Sequence, residues 1–109
     1  MILIIGGKGQ GKLDFALSLG YTMEDVATTL PTDKPILYGL QELTRLDPTL
    51  SPDQLPDGIV ICDEIGCGVV PLDREERDWR ERTGRLCCLL AQEAQQVWRV
   101  FCGIPIRLK

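Results

Sequence analysis

The sequence predicts an α/β fold of three layers, in which helices flank a small, mostly parallel sheet that ends in a C-terminal β-hairpin. Three observations predict it. A β-branched run, Ile2-Leu3-Ile4-Ile5, leads straight into a cluster of glycines. A second apolar run, from Gly58 to Cys62, stops at Asp63-Glu64. Between and after these runs lie segments with helical spacing, so strand and helix patterns alternate. The 109 residues are expected to form one nucleotide-binding domain spanning 1–109.

Ile2 to Ile5 reads as a buried parallel strand, because it is apolar without alternation. It enters Gly6-Gly7-Lys8-Gly9-Gln10-Gly11-Lys12-Leu13, which fits the phosphate-binding P-loop pattern GxxxxGK up to its last position. There Leu13 replaces the Ser or Thr whose hydroxyl would meet Mg²⁺. The glycines let backbone N–H groups turn inward around a phosphate, since glycine tolerates positive φ without strain. Lys12 adds a full positive charge. Such a run also arises at ordinary strand–turn–helix corners. Here the preceding strand and the apolar series Leu13, Phe15, Ala16, Leu17 and Leu19, ending at Gly20, supply the context the motif requires. The fold expected is therefore P-loop NTPase-like.

Residues 21–26 read as a short turn of helix capped by Thr22, with Asp25 at its third position. Residues 28–35 carry two prolines and read as a loop. Residues 35–38 suggest a short strand, and Leu40, Leu43 and Leu46 a helix ending near Asp47-Pro48. The proline-bearing stretch 47–58 is the least regular, with a brief turn at Ser51-Pro52-Asp53.

The strand closed by Asp63-Glu64 has the form of a Walker B segment, which places a carboxylate beside the P-loop to organise Mg²⁺ or its water. Acidic residues also end strands for local reasons, but the two motifs support each other spatially. Asp63 and Glu64 are the candidate metal ligands, and Lys12 and Glu64 the candidate catalytic residues. Residues 65–71 form a glycine-bearing connector where backbone must pass close to a ligand or neighbouring chain. Residues 73–94 read as a helix with an apolar series Trp79, Leu86, Leu89, Leu90 and Ala94, interrupted by Gly84. Its arginines are interleaved with acidic residues, which favours an ion-paired solvated face over a nucleotide-binding one. Residues 97–101 read as a strand, and Gly103 permits a tight reversal into 104–108.

A net charge of −4 argues against a nucleic-acid partner. The opening apolar run is too short for a signal peptide, and no stretch approaches a membrane span, so a cytoplasmic protein is expected. The five cysteines form no CxxC pair and read as small buried hydrophobes in a reducing compartment. Trp79 and Trp98 fit a core or an interface equally well.

The segments Asp63-Glu64-Ile65-Gly66-x-Gly68-Val69-Val70-Pro71, Arg77-x-Trp79-Arg80-Glu81, Gly84-Arg85-Leu86, Ala91 and Gly103-Ile104-Pro105-Ile106-Arg107-Leu108-Lys109 share an order. Together with the N-terminal loop they resemble the adenosylcobinamide kinase/adenosylcobinamide-phosphate guanylyltransferase family, over residues 1–19 and 58–109. The resemblance implies an oligomeric P-loop enzyme of cobalamin biosynthesis. It would phosphorylate the aminopropanol hydroxyl of a corrinoid from ATP or GTP with Mg²⁺, then transfer GMP through a covalent histidine. It implies that Gly6, Gly7, Gly11 and Lys12 cradle phosphates, and that Glu64 matches the family's Asn-Glu glutamate with Asp63 in place of the asparagine. The chain departs from the pattern at Leu13, in a short middle segment, and in having no histidine at all. Without histidine the phosphoramidate route is closed. Two functions follow, a minimal phosphotransferase or a nucleotide-binding partner subunit without catalysis. In a third reading the motifs are packing features alone.

Overall fold

A computed structural model describes residues 1–65 and 73–109. The connector motif Gly66 to Pro71, and Cys67 with it, lies outside the described residues. Among the described residues six strands form one sheet in the order β2-β3-β4-β1-β5-β6: β1 Ile2–Gly6, β2 Val26–Ala27, β3 Ile36–Tyr38, β4 Ile59–Asp63, β5 Gln96–Phe101 and β6 Ile104–Arg107. All neighbours are parallel except the β5–β6 hairpin. The strand β1 is central, pairing Ile4 with Ile61 on one side and with Trp98 on the other. This is the predicted α/β architecture.

Three helices, α1 Lys12–Ser18, α2 Leu40–Leu46 and α3 Arg74–Glu93, cover the two faces. Alternation along the strands divides the core accordingly. Ile4, Ile36, Ile59, Ile61 and Val100 meet Ala16 of α1. Leu3, Leu37, Val60, Cys62 and Val97 meet Leu40 and Leu43 of α2 and Leu86 and Leu90 of α3. Phe15 packs on Trp98 with ring centroids 5.0 Å apart, so Trp98 fastens α1 to the sheet. Trp79 is buried in the α2–α3 seam, donating from Nε1 to the Gln41 carbonyl at 2.8 Å. The hydroxyls of Thr44 and Thr83 meet at 2.6 Å in the same seam.

The local turns follow the sequence. Thr22 and Asp25 form a capping box around a 3₁₀ turn, Met23–Asp25, and Ser51 and Gln54 form another around Pro52–Gln54. Three kinds of expectation need correction. Leu19, Leu46 and Leu89 are exposed rather than buried. Leu19 only caps α1, Leu46 is the last residue of α2, and Leu89 lies about 100° around α3 from Leu90. Thr83 takes the buried position on α3 instead. Gly84 does not interrupt α3, because it is exposed and its backbone stays helical. Finally, Cys88 and Cys102 are exposed, whereas Cys62 is buried. On α3, Arg85 pairs with Glu81 at 2.7 Å, and Glu76 pairs with Arg45 of α2 at 2.9 Å. Among the described residues no helix is long and apolar enough to cross a membrane.

Candidate nucleotide-binding site

The loop after β1 is shaped by backbone constraint before any side chain acts. A Cβ on Gly6 would lie 2.5 Å from the Val100 carbonyl oxygen of β5, so only glycine lets the central strands close here. Gly9 and Gly11 have φ of 73° and 95°, in the region that favours glycine. Lys8 and Gly9 form an exposed tip. Gln10 ties the loop to the hairpin: its side-chain Oε1 accepts from the Cys102 N–H at 2.7 Å, and its carbonyl accepts from the Gly103 N–H at 2.9 Å. The first helical bond of α1 runs from the Phe15 N–H to the Gly11 carbonyl, at 3.0 Å. The amides of Lys12, Leu13 and Asp14 precede that bond and lack an intrahelical acceptor.

Lys12 turns back under this loop. Its side chain is 3% exposed, and Nζ donates to the Gly7 carbonyl at 2.7 Å and pairs with Asp63 Oδ1 at 2.7 Å. Burying an ammonium demands such compensation, and the partners come from the last residue of β4 and the first residue after β1. Gly6 and Asp63 are register partners of β1 and β4. The Asp63 N–H donates to Gln41 Oε1 at 3.1 Å, so the start of α2 steadies the carboxylate's backbone.

Glu64 goes elsewhere. Its N–H donates to the Gly6 carbonyl at 2.8 Å, which extends the ladder one residue beyond β4. Ile59 and Ile61 belong to the α1 side of the sheet, and Val60 and Cys62 to the other. Asp63 continues the first set and meets Lys12; Glu64 continues the second and meets Arg99. Arg99 holds it as a two-pronged pair, Nε to Oε1 at 3.0 Å and Nη2 to Oε2 at 3.2 Å. The two adjacent carboxylates are thus parked on separate cations on opposite sides of the sheet's rim.

Of the candidate residues, the fold brings Gly6, Gly7, Gln10, Gly11, Lys12 and Asp63 to one corner. Leu13 packs half-buried against the α1-side cluster, a place where a hydroxyl would have no apolar value. Mg²⁺ takes oxygen ligands in near-octahedral arrangement. Asp63 supplies one beside Lys12, Leu13 supplies none, and Glu64 would have to leave Arg99 to contribute. Sequence reasoning missed Arg99 and Gln41 as participants and the clamping role of Gln10, a residue it had placed in the loop. An arginine inside the otherwise apolar run Val97 to Phe101 was a usable signal for Arg99. Gln41 and the clamping role of Gln10 carry no comparable mark, since both depend on contacts between distant segments.

A glycine-rich loop over a buried lysine, on a central parallel strand and facing an aspartate on the next strand, defines a P-loop-like α/β protein. The family profile of cobinamide kinase / cobinamide phosphate guanyltransferase matches residues 40–108. That is more than half of the chain, which therefore belongs to this family. The match takes in Asp63, Glu64 and Arg99 and begins after the glycine-rich loop. The chain is 37% identical over 51 residues to the bifunctional adenosylcobalamin biosynthesis protein CobU of Salmonella typhimurium, and equally to that of Escherichia coli. These 51 residues make up 47% of this chain and only 28% of each relative.

Proposed function

We propose that the chain binds a nucleoside triphosphate at the Gly6–Leu13 loop and acts as a cobinamide-kinase-like phosphotransferase of cobalamin biosynthesis. The observation that carries this reading is Lys12, buried and held 2.7 Å from both the Gly7 carbonyl and Asp63. An ammonium in that place has its charge directed at the loop's concave side, where a phosphate oxygen can replace the carbonyl as partner. Family membership supports the acceptor, a corrinoid bearing an aminopropanol hydroxyl. Phosphoryl transfer depends mostly on positioning and charge neutralisation, which the loop amides and Lys12 provide. Asp63 would hold Mg²⁺ or its water. The metal's contribution is to neutralise phosphate charge, and Glu64 would join it only on release from Arg99. Transfer of GMP through a histidine has no residue to carry it in this chain. Exposed Phe101, Ile104, Ile106 and Leu108 on and beside the hairpin support self-association in this reading.

A second reading has one specific observation in its favour. Leu13 packs into the apolar cluster where a catalytic loop would present a hydroxyl. On that reading the chain keeps nucleotide affinity and serves as a non-catalytic partner in corrinoid metabolism. Incubation with γ-labelled ATP or GTP, Mg²⁺ and cobinamide separates the two. Label on the corrinoid is expected for the enzyme; nucleotide binding without labelled product establishes the partner role.

A further inference from the structure

The β5–β6 turn lies against the glycine-rich loop and carries apolar side chains that stand exposed. Cys102 and Gly103 make the reversal with φ of 50° and 76°, both positive, as a tight two-residue hairpin favours. Gln10 fixes where the turn sits, because its side-chain Oε1 accepts from the Cys102 N–H at 2.7 Å and its carbonyl from the Gly103 N–H at 2.9 Å. A Cβ on Gly11 would lie 3.4 Å from the Gly103 Cα, so the turn and the end of the loop are in contact. Phe101 and Ile104 are the pair that closes the hairpin. Directly opposed residues put their side chains on one face of a sheet, and alternation from Val97 makes it the α2–α3 face. Leu86 and Leu90 of α3 share a cluster with Val97, but Phe101 is 56% exposed and Ile104 62%. Single exposed apolar residues need no explanation; an aromatic and an aliphatic side by side, tied by hydrogen bonds to a binding loop, mark a contact surface.

We propose that Phe101, with Ile104 beside it, is the platform on which the base of the bound nucleotide stacks. The inference rests on the reading in which the Gly6–Leu13 loop holds the triphosphate, and it adds where the rest of the ligand lies. A nucleotide held by its terminal phosphates projects its ribose and base out of the loop. The two strands beside β1 offer that base different neighbours. The β4 side ends in the acidic pair Asp63 and Glu64, and the β5 side ends in the exposed ring of Phe101. A flat aromatic base gains apolar and π contact at the second. Stacking reads the face of a ring rather than the donors and acceptors on its edge, so adenine and guanine are both accepted. Ile106 and Leu108, exposed further from the turn, are left to self-association.

The clamp makes the platform part of the loop. Cys102 is not glycine, and a left-handed conformation at such a residue is uncommon; the bond from its N–H to Gln10 favours it. The backbone at the tip of the hairpin is thus set by the segment that cradles the phosphates, and Phe101 keeps its place relative to that segment. A contact surface organised before the ligand arrives gives up little freedom on binding.

The test separates base from phosphate by titrating ATP, GTP and inorganic tripolyphosphate, which has no base, into four proteins whose folding is checked by circular dichroism. These are the wild type, Phe101→Ala, Phe101→Tyr and Ile106→Ala. Phe101→Ala should bind ATP and GTP about tenfold more weakly than the wild type, and tripolyphosphate equally well. Phe101→Tyr keeps the ring and should bind nucleotide as the wild type does. Ile106→Ala, two residues further along the same face, should also leave nucleotide affinity unchanged. An unaltered nucleotide affinity in Phe101→Ala would overturn the platform. So would an equal loss for tripolyphosphate, a loss confined to one of the two nucleotides, or a loss as large in Phe101→Tyr or Ile106→Ala. Each of these results leaves the loop reading standing. A wild type that takes up neither nucleotide nor tripolyphosphate would overturn the loop reading, and the platform with it.

Discussion

Lys12 is the residue on which the site turns, because its charge is buried and its compensation is local. On the proposed reading a phosphate would replace the Gly7 carbonyl or Asp63 as its partner, and binding would be an exchange of partners around a fixed ammonium. Leu13 is the complementary case, an apolar side chain packed against the α1-side cluster at the last position of the loop motif. Leu13→Ser should make nucleotide affinity more dependent on Mg²⁺, at a cost in stability of about 1–3 kcal/mol for the lost apolar contact. Titration with and without Mg²⁺, alongside thermal melting, measures both. A Mg²⁺ dependence in the variant no greater than in the wild type would show that the hydroxyl at this position does not govern metal binding. Lys12, Leu13 and Asp63 were all legible in the sequence, since a motif fixes each against a strand end. What alternation did to Glu64 was also implicit in the sequence. Adjacent residues leaving a strand point to opposite faces, and only the identity of its partner, Arg99, had to come from the sheet order.

At the scale of elements, the loop owes its shape to a neighbour distant in sequence. Gln10 reaches the β5–β6 turn, where Cys102 and Gly103 have φ of 50° and 76°. Gln10→Ala removes the bond to the Cys102 N–H and should cost about 1 kcal/mol. Amide exchange at Cys102 should accelerate while exchange in α3 stays constant; unchanged protection at Cys102 would show that the clamp holds nothing. The α2–α3 seam makes a similar case. Thr83→Val keeps the shape but leaves Thr44 without its 2.6 Å partner, so a loss of about 1–2 kcal/mol in chemical denaturation is expected; a neutral or stabilising result would mean that Thr44 is satisfied by the Gln41 carbonyl and the Trp79 Nε1–H. Strands and caps could be read from the sequence because each follows from residues a few positions apart. The helix faces were less legible. Leu89, expected on the buried face, is exposed while Thr83 is buried, in a helix whose orientation is set by contacts of Trp79 and Thr83 with α2 that only the folded chain brings together.

For the whole molecule, the central strand β1 links everything described. It carries the loop, pairs with the Asp63 strand on one side and the Arg99 strand on the other, and separates the two carboxylate–cation pairs. Gly6→Ala tests that role, since its added carbon meets the Val100 carbonyl at 2.5 Å. A destabilisation of about 1–3 kcal/mol is expected, together with loss of nucleotide affinity as β1 and β5 move apart. A variant that melts like the wild type would contradict the close approach assigned to these strands. The fold class was legible because alternating strands and helices leave few arrangements for a short chain. Sheet order and the split of the core between two faces were not legible, because they depend on which strands become neighbours.

The central claim is that the corner between β1 and α1 grips a triphosphate through Lys12. Calorimetric titration of ATP and of GTP into the wild type and into Lys12→Ala, with folding of both checked by circular dichroism, tests it most directly. The wild type is expected to bind, with a loss of about 1.5–3 kcal/mol in the variant, the value of a charge-assisted contact. Equal affinity in the two folded proteins would contradict it.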